Sequence, residues 1–215
     1  MRRLVLLCRH GNTFNSGEKV FMVGAREDLP LTEHGCRQAT QLGDVVKKWA
    51  AFVGAVLAGP LQRTARFASL LCAAAGIEKH VAIDERLREL DYGAWSGLSN
   101  EEIARLSGEE ALRRWQEESL RPPGITFVPD EATVRRQSDE LLQELSKREG
   151  ISIVVSSNGR LREFGKLVSP QSTQAFKVRT GAGCLLEFSG GSWSILGWDL
   201  QAEELQQLLE KNLLE

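Results

Sequence analysis

The 215-residue chain reads as an α/β protein, a three-layer sandwich with a mostly parallel central sheet and helices on both faces. Three observations carry this. Apolar runs at 4–8 (LVLLC), 53–57 (VGAVL) and 151–156 (ISIVVS) have strand length and lack the polar alternation of a half-exposed strand, as expected of strands covered on both sides. Segments with helical apolar spacing lie between them. Strand and helix therefore alternate, which favours parallel pairing through helical crossovers.

The elements follow in order. Residues 4–8 form the first strand and end on polar residues and Gly11. Thr32 after Pro30 is a plausible N-cap, and Gly35, Ala39, Leu42, Val45, Val46 and Trp49 then recur at helical spacing. The second strand at 53–57 is followed by an apolar-rich helix over 61–75, ended by Gly76, and by a short strand at 81–83. Residues 100–114 are helical and charged until Arg121-Pro122-Pro123-Gly124 breaks the pattern, and they read as a cap at about 100–130 over one domain spanning 1–215. The helical period returns at 130–147 with Val134, Leu141, Leu142 and Leu145 on one face, before the strand at 151–156. That strand empties into a turn and a helix. Residues 184–188 and 193–198, joined by Ser-Gly-Gly-Ser, read as a hairpin, and 203–214 as a closing helix.

Net charge is −2, with no long run of one sign, so nothing marks a nucleic-acid or anionic-membrane surface and small partners are favoured. Cys8, Cys36, Cys72 and Cys184 lie far apart, as structural thiols in a reduced cytoplasmic protein would. The run at 4–8 is too short for a signal core and is interrupted by Arg9-His10, and the run at 50–58 is too short to cross a membrane.

Ligands of an open parallel sheet bind beyond the carboxyl ends of its strands. That rule selects Arg9-His10-Gly11, Gly59-Pro60-Leu61-Gln62-Arg63-Thr64 and residues 156–162. Arginine forks match phosphate oxygens, and helices beginning at Gln62 or Arg160 would add backbone N–H groups and a positive dipole end. A histidine in that field resists protonation and stays nucleophilic near neutral pH. His34 and His80 read as surface histidines.

The segment Leu6-Leu7-Cys8-Arg9-His10-Gly11-Asn12-Thr13 resembles the opening signature of the histidine phosphatase superfamily, the phosphoglycerate mutase-like proteins. Gly24, Arg26, Asp28, Leu29-Pro30-Leu31-Thr32, Gly35 and Gln38-Ala39 look like the stretch that follows it there. Gly59-Pro60-Leu61-Gln62-Arg63-Thr64 is similar to the family's Ser-Pro-Leu-x-Arg-Ala, and residues 86–98 resemble its Leu-x-Glu…Gly-x-Trp-x-Gly segment. The resemblance implies that His10 attacks phosphorus to give a phosphohistidine, that Arg9, Arg63 and Arg162 hold phosphoryl oxygens, and that Glu89 protonates the leaving group. It implies a small phosphorylated substrate or inorganic phosphate as partner, no cofactor and no metal.

Four departures stand out. Gly59 replaces the family serine, and Asn12 replaces the glutamate or glutamine often found after Arg-His-Gly. The family's asparagine six residues past the nucleophile falls on Ser16, beside Asn15. Most consequential, the second histidine, five residues before the arginine of its segment, falls on Ser157, or on Asn158 if the glycines are aligned instead. Losing one preorganised donor to the phosphoryl group typically costs about 10²–10³ in rate. Ser157 and Asn158 are the candidate replacements. The expectation is a phosphomonoesterase acting on a small phosphorylated metabolite, with a phosphate-binding or regulatory protein and a phosphoglycerate-type mutase as alternatives. Specificity would come from the cap, with Trp115, Arg121 and Phe127, while residues 16–23, with Phe21 and Met22, form either a further pocket wall or a cover for the core.

Overall fold

A computed structural model describes residues 2–213. Six strands form one sheet in the order β3-β2-β4-β1-β5-β6. β1 (Arg3–Arg9) and β4 (Gly150–Ser156) pair in parallel at the centre, from Arg3 opposite Gly150 to Arg9 opposite Ser156. β2 (Val53–Ala58) and the short β3 (Val81–Ile83) extend the parallel part. The hairpin of β5 (Gly183–Ser189) and β6 (Ser192–Leu200) adds antiparallel pairing beyond β1.

Side chains alternate across a strand, so each central strand feeds two cores. Leu4, Leu6 and Cys8 join Ile151, Ile153 and Val155 on one face, under α1 (Glu33–Val46), α2 (Gln62–Ala75) and α7 (Ala202–Leu213). Val5, Leu7 and Val154 pack on the other, against α5 (Glu131–Leu145) and α6 (Asn158–Val168). These are the three layers expected from the continuous apolar runs. Each fully buried aliphatic side chain contributes about 1.5–3 kcal/mol, enough to override the local conformational preferences of the loops between.

Thr32 caps α1 by accepting from the Gly35 amide, as expected, and α2 begins at Gln62 and ends on Gly76 at φ 68. Two boundaries differ from the sequence reading. The charged segment expected as one helix over 100–114 is two, α3 (Asn100–Ser107) and α4 (Glu109–Glu118). Gly108, at φ 87, ends the first and opens the second, while a Ser99–Glu102 capping box fixes the start of α3. The late helix begins at Asn158, two residues earlier than Arg160, with Ser157 at its N-cap. The closing helix was expected to reach 214, and Leu214 lies outside the described residues. No helix among the described residues is long and apolar enough to cross a membrane.

A third cluster, of Leu90, Tyr92, Trp95, Ile103, Trp115, Phe127 and Val134, packs beneath α3 and α4. Edge-to-face contacts of 5.0 to 5.7 Å link its aromatic rings.

Candidate active site

The carboxyl ends of β1, β2 and β4 open into one cleft of about 960 Å³. Six of the seven residues singled out from the sequence line it: Arg9, His10, Arg63, Glu89, Asn158 and Arg162. Ser157 does not. It is buried at the base of α6, and its hydroxyl makes no hydrogen bond among the described residues.

His10 leaves β1 with its amide bonded to the Ser156 carbonyl, 3.1 Å, and its own carbonyl accepting from Gly181 at 3.1 Å. The turn after it is locked by backbone contact. A Cβ on Gly11 would meet the Gly35 carbonyl at 2.4 Å, and one on Gly35 would meet the Asn12 carbonyl at 2.3 Å, so only glycine permits the first turn of α1 to seat there. The ring Nδ1 lies 2.8 Å from the Gly11 carbonyl. That carbonyl can only accept, so Nδ1 carries the proton and Nε2 keeps its lone pair. Burial, with only 6% of the residue exposed, holds the imidazole well below the usual histidine range, and the Arg9 and Arg63 charges push the same way.

The arginines are themselves held by carbonyls. Arg63 donates to Glu27 at 2.9 Å and Gly24 at 2.8 Å, and Arg9 to Val178 at 2.6 Å. Arg162 reaches from α6 to α4, donating to the Trp115 carbonyl at 2.5 Å and the Ser119 hydroxyl at 2.7 Å, with its guanidinium 4.9 Å from the Trp115 ring. Burial lowers it to about 10, offset in part by the nearby Tyr92 and Glu89. Carbonyls orient a guanidinium without cancelling its charge, so the cleft stays electropositive.

Glu89 is bridged by two amides: Oε1 accepts from Leu90 at 2.8 Å and Oε2 from Gly159 at 3.1 Å. The Tyr92 hydroxyl also hydrogen-bonds to it, and burial drives that phenol well above its usual range. Gly159 is required by this packing, since a Cβ there would fall 2.5 Å from both Glu89 Oε1 and the Tyr92 hydroxyl. Asn158 is not wholly free, because its Oδ1 accepts from the Val178 amide at 2.9 Å. Gly59 also has a steric reason: a Cβ would lie 2.6 Å from the Leu87 carbonyl, which leaves no room for a serine.

Sequence reasoning missed several groups. Tyr92 sits in the motif that carries Glu89, and that adjacency was its only signal. Thr180 bonds to Asn12 Oδ1, while Gln38 ties the Asn12 amide to the Thr180 carbonyl, both at 2.9 Å. Lys177 lines the same cleft. The 177–181 loop carries no motif, and only the fold brings it against β1. His34, read as a surface histidine, is exposed at the rim of the cleft, and His80 is exposed elsewhere. Residues 16–23, left open between wall and cover, line the cleft from Ser16 to Val23 apart from Lys19.

A buried neutral imidazole with Nε2 unprotonated can attack an electrophilic phosphorus, and the arginines that line the same cleft together with a carboxyl group can hold its oxygens. Comparison with known proteins gives the same frame. The chain is 33% identical over 156 residues to the Bifunctional protein Rv2228c of Mycobacterium tuberculosis, covering 72% of this chain and 40% of that one. It is 35% identical over 144 residues to the probable phosphoglycerate mutase GpmB of Klebsiella pneumoniae, covering 67% and 58%. The chain thus spans about half the length of these curated relatives. In structure it resembles mycobacterial glucosyl-3-phosphoglycerate phosphatase Rv2419c in complex with VO3, with a TM-score of 0.77, 22% identity, and coverage of 93% of this chain and 100% of that one. A complex of the same phosphatase with inorganic phosphate matches at a TM-score of 0.75 and 21% identity, over 94% and 99%. Those two likenesses bear on fold alone. Residues 5–201 match the family model described as Histidine phosphatase superfamily (branch 1), and the chain belongs to that superfamily.

Proposed function

We propose that the protein is a phosphomonoesterase, acting on a small phosphorylated metabolite through a phosphohistidine at His10, within one domain capped by residues 100–130. The observation that carries this is His10 itself, buried between Arg9 and Arg63 with Nδ1 tied to Gly11 and Nε2 unprotonated. A residue meant only to bind phosphate would gain from being a charged imidazolium, whereas here burial and both arginines oppose that charge.

Nε2 attacks phosphorus in line as the P–O ester bond breaks, and the leaving oxygen takes the electron pair together with a proton delivered by Glu89. In the second half Glu89 removes a proton from water, the water oxygen bonds to phosphorus, and the P–N electron pair returns to Nε2. Arg9, Arg63 and Arg162 hold the equatorial oxygens throughout, with Asn158 beside them. Ser157 takes the position where the family has its second histidine. Because its hydroxyl is off the cleft wall, the donor role passes to Arg162, whose guanidinium lies close enough to Arg9 and Glu89 to feel both charges.

Purified protein incubated with p-nitrophenyl phosphate should turn over, and His10→Ala should not. Quenching in base during turnover should leave phosphate on His10, detected by peptide mass spectrometry. Turnover unchanged in His10→Ala would refute the reading. So would phosphate-dependent thermal stabilisation without any hydrolysis, the signature of a binding protein.

A further inference from the structure

The phosphate end occupies only one side of the cleft. Away from His10, one wall is the excursion between β1 and α1, and it is apolar. Phe14 and Phe21 form an edge-to-face pair at 5.0 Å, flanked by Val20, Met22 and Val23, with Trp115 of α4 lining the same space. Val20, a branched apolar residue beside them, is 61% exposed.

This wall is held in place. Met22 exchanges backbone hydrogen bonds with Leu98 and Gly97, both 2.8 Å, and its side chain packs on the Trp95–Trp115 cluster. Lys19 bonds to Glu102 of α3 at 2.8 Å. The apolar surface is therefore formed before a ligand arrives, as in sites that select by shape.

The charged side chains around the cleft offer little to a second anion. Glu18 is taken up by the Asn15 amide and side chain, at 2.7 and 2.9 Å. Glu33 lies 3.9 Å from Arg37 on the same helix, and both point largely into solvent. Lys177 is exposed, so solvent screens its charge and a contact with it is worth little. A phosphate with a short carboxylated chain would leave most of the 960 Å³ unfilled and the aromatic wall untouched.

We infer that the cleft selects phosphate monoesters whose alcohol carries an aromatic or branched apolar body, over small polyanionic esters, with Phe14, Val20 and Phe21 as the specificity-determining contact. This inference rests on the phosphatase reading of the same site. The body would lie against the 14–23 wall and Trp115, while the phosphoryl group reaches His10. Apolar contact of this size changes affinity by about tenfold or more.

Binding of non-hydrolysable phosphonates tests this without relying on turnover. Calorimetric titration of the full chain should show 1-naphthylmethylphosphonate binding at least tenfold tighter than methylphosphonate or phosphonoacetate. Phe21→Ala should cut that ratio to threefold or less. Val20→Asp, at a site too exposed to threaten folding, should do the same. Equal affinities, a preference for phosphonoacetate, a ratio that survives both substitutions, or no binding of any phosphonate would overturn the inference. Hydrolysis without the apolar preference would sink only the substrate class, whereas a preserved binding preference without hydrolysis would sink only the phosphatase reading.

Discussion

Gly159→Ala isolates the seating of Glu89. The residue lies in the first turn of α6 with ordinary helical geometry, so alanine there should on propensity alone stabilise the helix by up to about 1 kcal/mol. Packing reverses that sign. The new Cβ would sit 2.5 Å from Glu89 Oε1, 2.5 Å from the Tyr92 hydroxyl and 3.1 Å from Leu90 Cδ1. Ordinary contact begins near 3.4 Å, so both oxygens must retreat by about 0.9 Å. The retreat stretches the 3.1 Å bond from the Gly159 amide to Glu89, and leaving a buried polar group unpaired costs about 1–3 kcal/mol. A displacement of that size at a reacting group can lower the rate by about 10². Steady-state kinetics should therefore show a kcat reduced by about a hundredfold, and urea unfolding should show a net destabilisation of about 1–2 kcal/mol once the helix-propensity gain is subtracted. Wild-type kcat with increased stability would mean that the Glu89 seat does not matter, and the role given to that carboxyl group would fall with it.

Further tests address the proton, the hydroxyl and the nucleophile. Glu89→Gln should lower kcat/KM for an alkyl phosphate by about 10²–10⁴ but for p-nitrophenyl phosphate by tenfold or less, because nitrophenolate leaves without protonation; equal losses in steady-state assays would remove Glu89 as the donor. Ser157→Ala should keep kcat within threefold and leave urea stability unchanged or up to about 1 kcal/mol higher, since the hydroxyl is buried, unpartnered and does not cap α6; a tenfold loss of rate would show that it reaches the phosphoryl group. His10 has a folded pKa below its unfolded value, so the unfolded chain binds more protons below about pH 6.5 and stability falls as pH drops through that window, by up to about 1.4 kcal/mol per pH unit on this group's account. Urea unfolding at pH 7 and pH 5 in phosphate-free buffer should show a shallower pH dependence for His10→Asn, and an unchanged one would mean that His10 is not held neutral.

Much of this site was legible because strand ends are legible. The apolar run 4–8 stops at Arg9-His10-Gly11, and no other arrangement of so short a hydrophobic segment buries it as well as a central strand, which puts His10 at the sheet's carboxyl edge. Glu89 was legible only through its motif, since nothing in its charged neighbourhood distinguishes it from Glu85 or Asp91. The break at Gly108 was hidden because the flanking charged residues keep a helical period on both sides, and one glycine can be tolerated within a helix. Thr180 reaches Asn12 through folding that joins residues far apart in sequence, and Tyr92, three residues after Glu89, turns toward it only in the folded packing. Periodicity describes a face, and these groups depend on which faces meet.

The electrostatics of α6 fit the proposed site, in which arginines hold the phosphoryl group. Arg63, Arg160 and Arg162 are almost fully buried, and the Nε atoms of Arg9, Arg160 and Arg162 make no hydrogen bond among the described residues. Burial lowers both Arg160 and Arg162 to about 10, still charged at neutral pH. Against these four cations the nearby buried carboxyl groups are Glu89 and Glu163. Concentrated buried positive charge costs folding free energy, and a dianion entering the cleft would relieve it while gaining contacts already oriented by the protein. An imidazole at position 157 would add one more donor to a cleft where fixed guanidinium groups already supply the charge. On the proposed reading, a serine at 157 bears first on the geometry of one phosphoryl contact and only second on its electrostatics, and Arg162, anchored on Trp115 and Ser119, is the group proposed to take over that contact.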